Sequence, residues 1–166
     1  MRTTIAVVLT ALLMSLTGGS AHAVVRVSVY SQQILEQTNG VRAKFDRPKL
    51  ALNSCMDGYA DSWAKHLATQ EKALVHRSSA SLQAIMKKCG LRSIGENLAF
   101  GYADGRSVVG RSTDKVCSSS CSKINWMTSG GHRANQMNAA FRRIGVGAWR
   151  DSNDRYYSVA LYGQPR

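Results

Sequence analysis

The chain has 166 residues, a hydrophobic fraction of 44% and a net charge of +12. That composition excludes a disordered chain, a collagen-like fibre and a polytopic membrane protein, and it leaves room for one domain with a real core. The charge favours anionic surfaces, but the basic residues are scattered apart from Lys87-Lys88 and Arg142-Arg143, with no aromatic-interleaved basic motif, so nucleic acid is not the expected partner.

Residues 1–23 read as a secretory signal. Arg2 supplies the positive start, Ile5–Leu16 an apolar run too short to span a bilayer, and Ala21-His22-Ala23 an A-x-A cleavage site. The mature chain is expected to begin at Val24 and to form a single domain over 24–166, exported and without a transmembrane anchor. The leader carries one charged residue, so nearly all the basic excess belongs to the mature protein.

Tyr30 to Phe45 predicts a helix, with Ile34, Thr38, Val41 and Phe45 near one face. Arg47-Pro48 stops it. Ser54 is the expected N-cap of a second helix from Cys55 to about Glu71. Tyr59, Trp63 and Leu67 line one side of it, and Ala60, Ala64 and Ala68 allow close packing. His66 on this helix reads as a partly exposed histidine without a role. A connection carrying His76 follows, then a short helix capped by Ser79 or Ser81 and ended by Cys89-Gly90.

Ser93 to Phe100 reads as a strand. The period of two places Glu96 in a row with Ile94, Leu98 and Phe100, and a carboxylate in an apolar row requires a partner. Residues 101–122 are loop-rich, with one helical turn at Val108-Val109. A helix is expected around Lys123 to Thr128, followed by a polar turn bearing His132. Arg133 reads as a surface arginine able to meet an anion, Tyr102 as a residue of the cleft mouth, and Trp126 and Phe141 as core. Ile144–Arg150 and Tyr156–Tyr162 predict a terminal hairpin in which Ile144, Val146 and Ala148 match a row of Tyr157, Val159 and Leu161. Gly145 and Gly147 would let another element approach, which implies helices on both faces of a sheet.

Four cysteines in an exported chain predict disulfides, and three pairings are possible. Cys55 with Cys89 and Cys117 with Cys121 is the favoured set. A C-x-x-x-C metal half-site is the rival reading of the second pair.

These residues together resemble the CAP superfamily of cysteine-rich secretory proteins, antigen 5 and pathogenesis-related 1 proteins, and its bacterial SCP-like branch in particular. The resemblance rests on Asn39-Gly40-Val41-Arg42, Ala60-Asp61-Ser62-Trp63-Ala64, His76 and Gly95-Glu96-Asn97-Leu98-Ala99-Phe100-Gly101. It continues through Trp126-Met127-Thr128-Ser129, Gly131-His132-Arg133-Ala134-Asn135 and Arg143-Ile144-Gly145-Val146-Gly147, in that order along almost the whole mature chain. It implies an α+β fold, a three-layer α-β-α sandwich, with a cleft beside the sheet.

The family often carries two histidines and two acidic residues in that cleft. His76, Glu96 and His132 match three of them; Ser129 stands where the second acid is usual, as it often does in the bacterial branch. Asn97 and Asn135 are expected to hold backbone near the cleft. His76 and His132 suit a divalent cation such as Zn²⁺, with Glu96 fixing one imidazole.

Three functions follow. The first is a non-catalytic binder of a small ligand, a lipid or an anionic envelope component. The second is a metal-dependent, peptidase-like hydrolase with Glu96 as its base. The third is a basic structural protein of the envelope. The incomplete acid-base set points away from an enzyme.

Overall fold

A computed structural model describes residues 19–118, 121 and 124–166, with side chains from Ser28 onward. Arg2 and the apolar run Ile5–Leu16 lie outside the described residues, as do Ser119, Ser120 and Lys123. Helix α1 spans Gly19–Ala43 and passes through the A-x-A triplet. No described helix is long and apolar enough to cross a membrane.

The elements after α1 are β1 (Ala51–Leu52), α2 (Ser54–His66), α3 (Ser79–Lys88), β2 (Leu91–Phe100), α4 (Gly105–Val109), α5 (Gly130–Met137), β3 (Arg143–Arg150) and β4 (Tyr156–Pro165). A single π turn, Leu67–Glu71, closes α2 and ends on Lys72 in the left-handed region. The strands form one sheet in the order β1-β3-β4-β2, antiparallel except for the short β1–β3 pair.

The sheet has an apolar cluster on each face. One contains Tyr30, Ile34 and Val41 of α1, Val108 and Val109 of α4, and Ile144, Val146 and Ala148 of β3. The other contains Met56, Ala60, Ala64 and Leu67 below Leu98 of β2 and Ile85 of α3. This is the three-layer α-β-α sandwich that the glycine-backed strand implies. A Cβ on Gly145 would lie 2.3 Å from the Met56 carbonyl carbon, and one on Gly147 would lie 2.2 Å from that of Ala60. The α2 backbone therefore rests directly on β3.

Several local expectations shift. The N-cap of α2 is Asn53, whose Oδ1 accepts from Met56 N at 3.0 Å, not Ser54. The N-cap of α3 is Ser78, whose hydroxyl accepts from Ser81 N. The row Tyr157, Val159 and Leu161 does not share the face of Ile144, Val146 and Ala148; it packs on the α2 side, opposite the β3 glycines. β4 is a central strand buried on both faces, so either of its rows reads as apolar. Residues 126–128 form a turn rather than a helix, with Asn125 Oδ1 accepting from the backbone N–H groups of both Met127 and Thr128.

Both favoured disulfides are formed. Cys55–Cys89 ties the start of α2 to the end of α3, and Cys117–Cys121 closes a small loop.

Arg42 is fully buried at the end of α1. Its guanidinium donates to the carbonyls of Pro48 (2.9 Å), Gln136 (2.6 Å), Asn138 (3.1 Å) and Phe141 (3.2 Å). Three of these belong to the C-terminal end of α5 and the approach to β3, where carbonyls lack helical partners and the dipole favours a cation. Arg42 thus fixes the helix that carries His132. Arg42→Lys keeps the charge but loses the planar fork, leaving buried carbonyls unsatisfied. The expected loss is about 2–3 kcal/mol, read as the shift of the urea midpoint.

Candidate functional site

β2 is an edge strand, and its free edge is covered by side chains rather than by another strand. Trp126 Nε1 donates to Leu98 O at 3.0 Å, and Asn135 Nδ2 donates to Glu96 O at 3.3 Å. Gly95 makes room for this: a Cβ there would lie 2.5 Å from Asn135 Oδ1. Asn135 Nδ2 also donates to Asn97 Oδ1 at 2.9 Å, and Asn97 Nδ2 donates to His132 O at 3.0 Å. The two asparagines hold backbone, as expected, and they pin α5 to the strand.

On the other side of the edge, the Glu96 side chain is 1% exposed and its two oxygens meet three donors. Oε1 accepts from His76 Nδ1 at 2.9 Å and from Arg77 N at 3.1 Å; Oε2 accepts from Arg77 Nη1 at 2.8 Å. The Arg77 guanidinium also donates to Tyr59 O and lies over the Trp63 ring, 4.9 Å from its centroid. Trp63 Nε1 in turn donates to Val75 O at 3.1 Å. The segment carrying His76 is therefore held to α2 by Trp63 and Tyr59, and to β2 by Glu96.

Arg77 is the residue that the sequence reading missed. The signal was present: a carboxylate in an apolar row demands a cation, and an arginine adjoins the histidine already assigned to that carboxylate. Burial lowers the Arg77 pKa, against the bond and charge of Glu96, which raise it.

His76 is more than half exposed and donates Nδ1–H to Glu96, which leaves Nε2 for another partner. His132 lies on α5, not in a turn. Its Nδ1 is buried without a hydrogen-bond partner, and its pKa is lowered by burial and then by the charge of His76. His76 is bonded to Glu96, and the His132 carbonyl to the neighbouring Asn97, so the two histidines stand at the same stretch of β2. Ser129 occupies the N-cap position of α5, but its hydroxyl makes no capping bond.

Three other residues settle elsewhere. Tyr102 is buried and donates to Ile124 O at 2.6 Å, so it belongs to the core and not to a mouth. Arg133 donates to Asp114 O at 2.8 Å and covers the Phe45 ring. His66 stacks on Trp63 and bonds to Glu71 at 3.0 Å.

The depressed His132 pKa has a stability consequence. Above its ordinary value of 6.5, both folded and unfolded chains hold a neutral imidazole. As pH falls below 6.5, the unfolded chain takes up the proton first, so folding stability declines until the folded pKa is passed. Urea midpoints measured from pH 8 downward should show this fall, and His132→Gln should lack that component.

A zinc site wants three or four protein ligands. Among the described residues, no group of three or more His, Cys, Asp or Glu is placed to hold a metal. Glu96 has both oxygens engaged and a guanidinium beside it, a poor setting for a second cation. The donor set here is two imidazoles, which does not fit a resident zinc.

Comparison with known proteins completes the picture. The model of the cysteine-rich secretory protein family, CAP, matches residues 35–162. An extracellular protein containing an SCP domain from Bacillus anthracis has a similar structure, with a TM-score of 0.66 and 22% identity over 93% of this chain and 45% of its own. A cysteine-rich secretory protein from Staphylococcus aureus gives 0.61 and 19%, over 84% of this chain and 40% of its own. An outer surface protein of Borrelia burgdorferi gives 0.64 and 18%, over 81% and 92%. The chain therefore spans less than half of the first two. No curated protein sequence matches it significantly. On the family match and the shared sandwich, the chain belongs to the CAP family of cysteine-rich secretory proteins.

Proposed function

We propose that this CAP domain is exported and binds a small ligand, a lipid or a cell-envelope component at the free edge of β2, through His76 and His132, without catalysing a reaction on it. The carrying observation is the state of Glu96. A general base needs an oxygen free to receive a proton from substrate or water. Glu96 is buried and spends both oxygens on His76 and Arg77. It acts as an anchor for the His76 segment. The second nitrogen of the exposed His76 is the group left to meet a ligand, and the partly buried His132 stands at the same strand edge.

Export is supported by the leader-like start of the sequence, by the two disulfides, and by the extracellular and outer-surface character of the structural neighbours. The hydrolase reading would need Glu96 released from Arg77, with a metal held by two imidazoles.

Protein purified without a histidine tag separates these readings. The binder is expected to carry lipid or envelope material by mass spectrometry, to hold less than one Zn²⁺ per chain, and to show no peptidase or esterase turnover. Stoichiometric zinc, together with turnover that disappears in a folded Glu96→Gln protein, would establish the hydrolase instead.

A further inference from the structure

The opposite edge of the sheet holds a second feature, independent of the histidines. β1 covers β3 only at Arg143 and Ile144, so the β3 edge from Val146 onward has no partner strand. A groove of about 660 Å³ runs along it between α1 and α2. Leu35, Leu52, Val146 and Trp149 give it an apolar lining, and Asp57 and Asp61 stand on its α2 wall.

The two aspartates are one helical turn apart, about 6 Å between Cβ atoms. Alternate residues of a strand repeat at nearly the same distance, roughly 6.7 Å. Asp57 Oδ1 accordingly accepts from Val146 N at 2.8 Å, and the Ala148 N–H lies close enough to Asp61 to favour its charged form. The Val146 donor is thus taken by one carboxylate, and both carboxylates line the groove.

Neither aspartate is in an ion pair among the described residues, although the chain carries 22 lysines and arginines. Arg150 at the rim pairs with Asp154 at 2.6 Å and lies over the Tyr156 ring, and its Nε is buried without a hydrogen-bond partner. Lys65 lies over the Trp149 ring, 5.0 Å from its centroid. The Asp61 pKa is raised by burial and by the charge of Asp57, a penalty that a bound cation would relieve. Leu52 and Trp149 are among the exposed large apolar residues of the chain, at 52% and 38%.

We infer that this groove binds a cationic ligand with an apolar body: an ammonium head against Asp57 and Asp61, and an aliphatic or aromatic body along Leu35, Leu52 and Trp149. The charge complementarity selects this occupant over a fatty acid, whose carboxylate would face two aspartates.

NMR titration of the protein with octylammonium, and separately with octanoate, tests the inference. Octylammonium should shift the amides of Leu52, Asp61, Val146 and Ala148, and octanoate should leave them in place. Asp61→Asn keeps an acceptor for Ala148 N–H and removes the charge, so it should weaken octylammonium roughly tenfold, the loss of one charge-assisted contact. Leu52→Gln, at an exposed position, should weaken it without disturbing the fold. Octanoate binding as tightly, no shift from octylammonium, or unchanged affinity in either variant would overturn the inference.

Discussion

Glu96→Gln should lower folding stability by about 3–5 kcal/mol, the range for removing one partner of a buried ion pair. The glutamine is isosteric, so the loss comes from charge. Arg77, whose side chain is 4% exposed, keeps its guanidinium inside the protein with Tyr59 O and the Trp63 ring, but without a carboxylate. The amide nitrogen would also face the donors His76 Nδ1, Arg77 N or Arg77 Nη1, whichever it displaces. Equilibrium urea denaturation measures the change. Replacing both partners, as in Glu96→Gln with Arg77→Met, should recover much of it, because no unpaired charge then remains. A single variant within 1 kcal/mol of the parent would show that Glu96 and Arg77 do not form the buried pair described here. The expected loss also governs how function is assayed: a Glu96 variant loses the anchor of His76 together with any chemistry, so activity comparisons need a folded sample.

Gly147→Val should be comparably severe, about 3 kcal/mol or more, at or above the upper end of overpacking costs. The cause is steric. The added Cβ would lie 2.2 Å from the Ala60 carbonyl carbon and 2.3 Å from Asp61 N. Both are backbone atoms of α2, so no rotamer change relieves the clash, and the helix must lift from the sheet. Lifting α2 uncovers Ala60, Ala64 and Leu67, the centre of that apolar cluster. Gly40 provides the contrast. It sits within α1, with nothing within 4 Å of an added Cβ. Gly40→Ala should stabilise by about 0.5–1 kcal/mol through the lower helix propensity of glycine. Thermal midpoints moving in opposite directions would check both; a neutral Gly147→Val would mean that α2 does not rest on β3.

The sandwich was legible wherever a sequence period had a single physical reading. Gly145 and Gly147, two residues apart in an otherwise apolar strand, require a close neighbour, and α2 with its alanines fills that need. The strand around Glu96 was legible for the same reason, and an acid in an apolar row marks a site whatever its partner. The failures have equally specific causes. β4 is apolar on both faces, so its alternation cannot say which row faces which layer. Asn53 and Ser54, or Ser78 and Ser79, have nearly equal capping ability, and the choice between neighbours falls to tertiary contacts. Helix α5 opens on two glycines, poor helix formers; Arg42 at its C-terminal end and the Asn97–Asn135 bond hold it, and neither contact is visible in its own residues. Arg77 escaped although its signal was present, because the neighbouring His76 had already been given to Glu96 and the second carboxylate oxygen was left without a donor.

Retention by isolated cell envelopes is the most direct measure of whether the β2 edge is a binding site. Wild-type protein, His76→Ala and the double variant His76→Ala/His132→Ala are incubated with envelopes at physiological salt, washed at high salt, and quantified. His76 is more than half exposed and His132 only partly buried, so the variants should fold. If the edge binds, wild-type protein stays through the wash and both variants are lost in it. Release of all three proteins by salt would leave the basic excess of the chain as the whole basis of attachment. Equal, salt-resistant retention of all three would place binding elsewhere on the molecule.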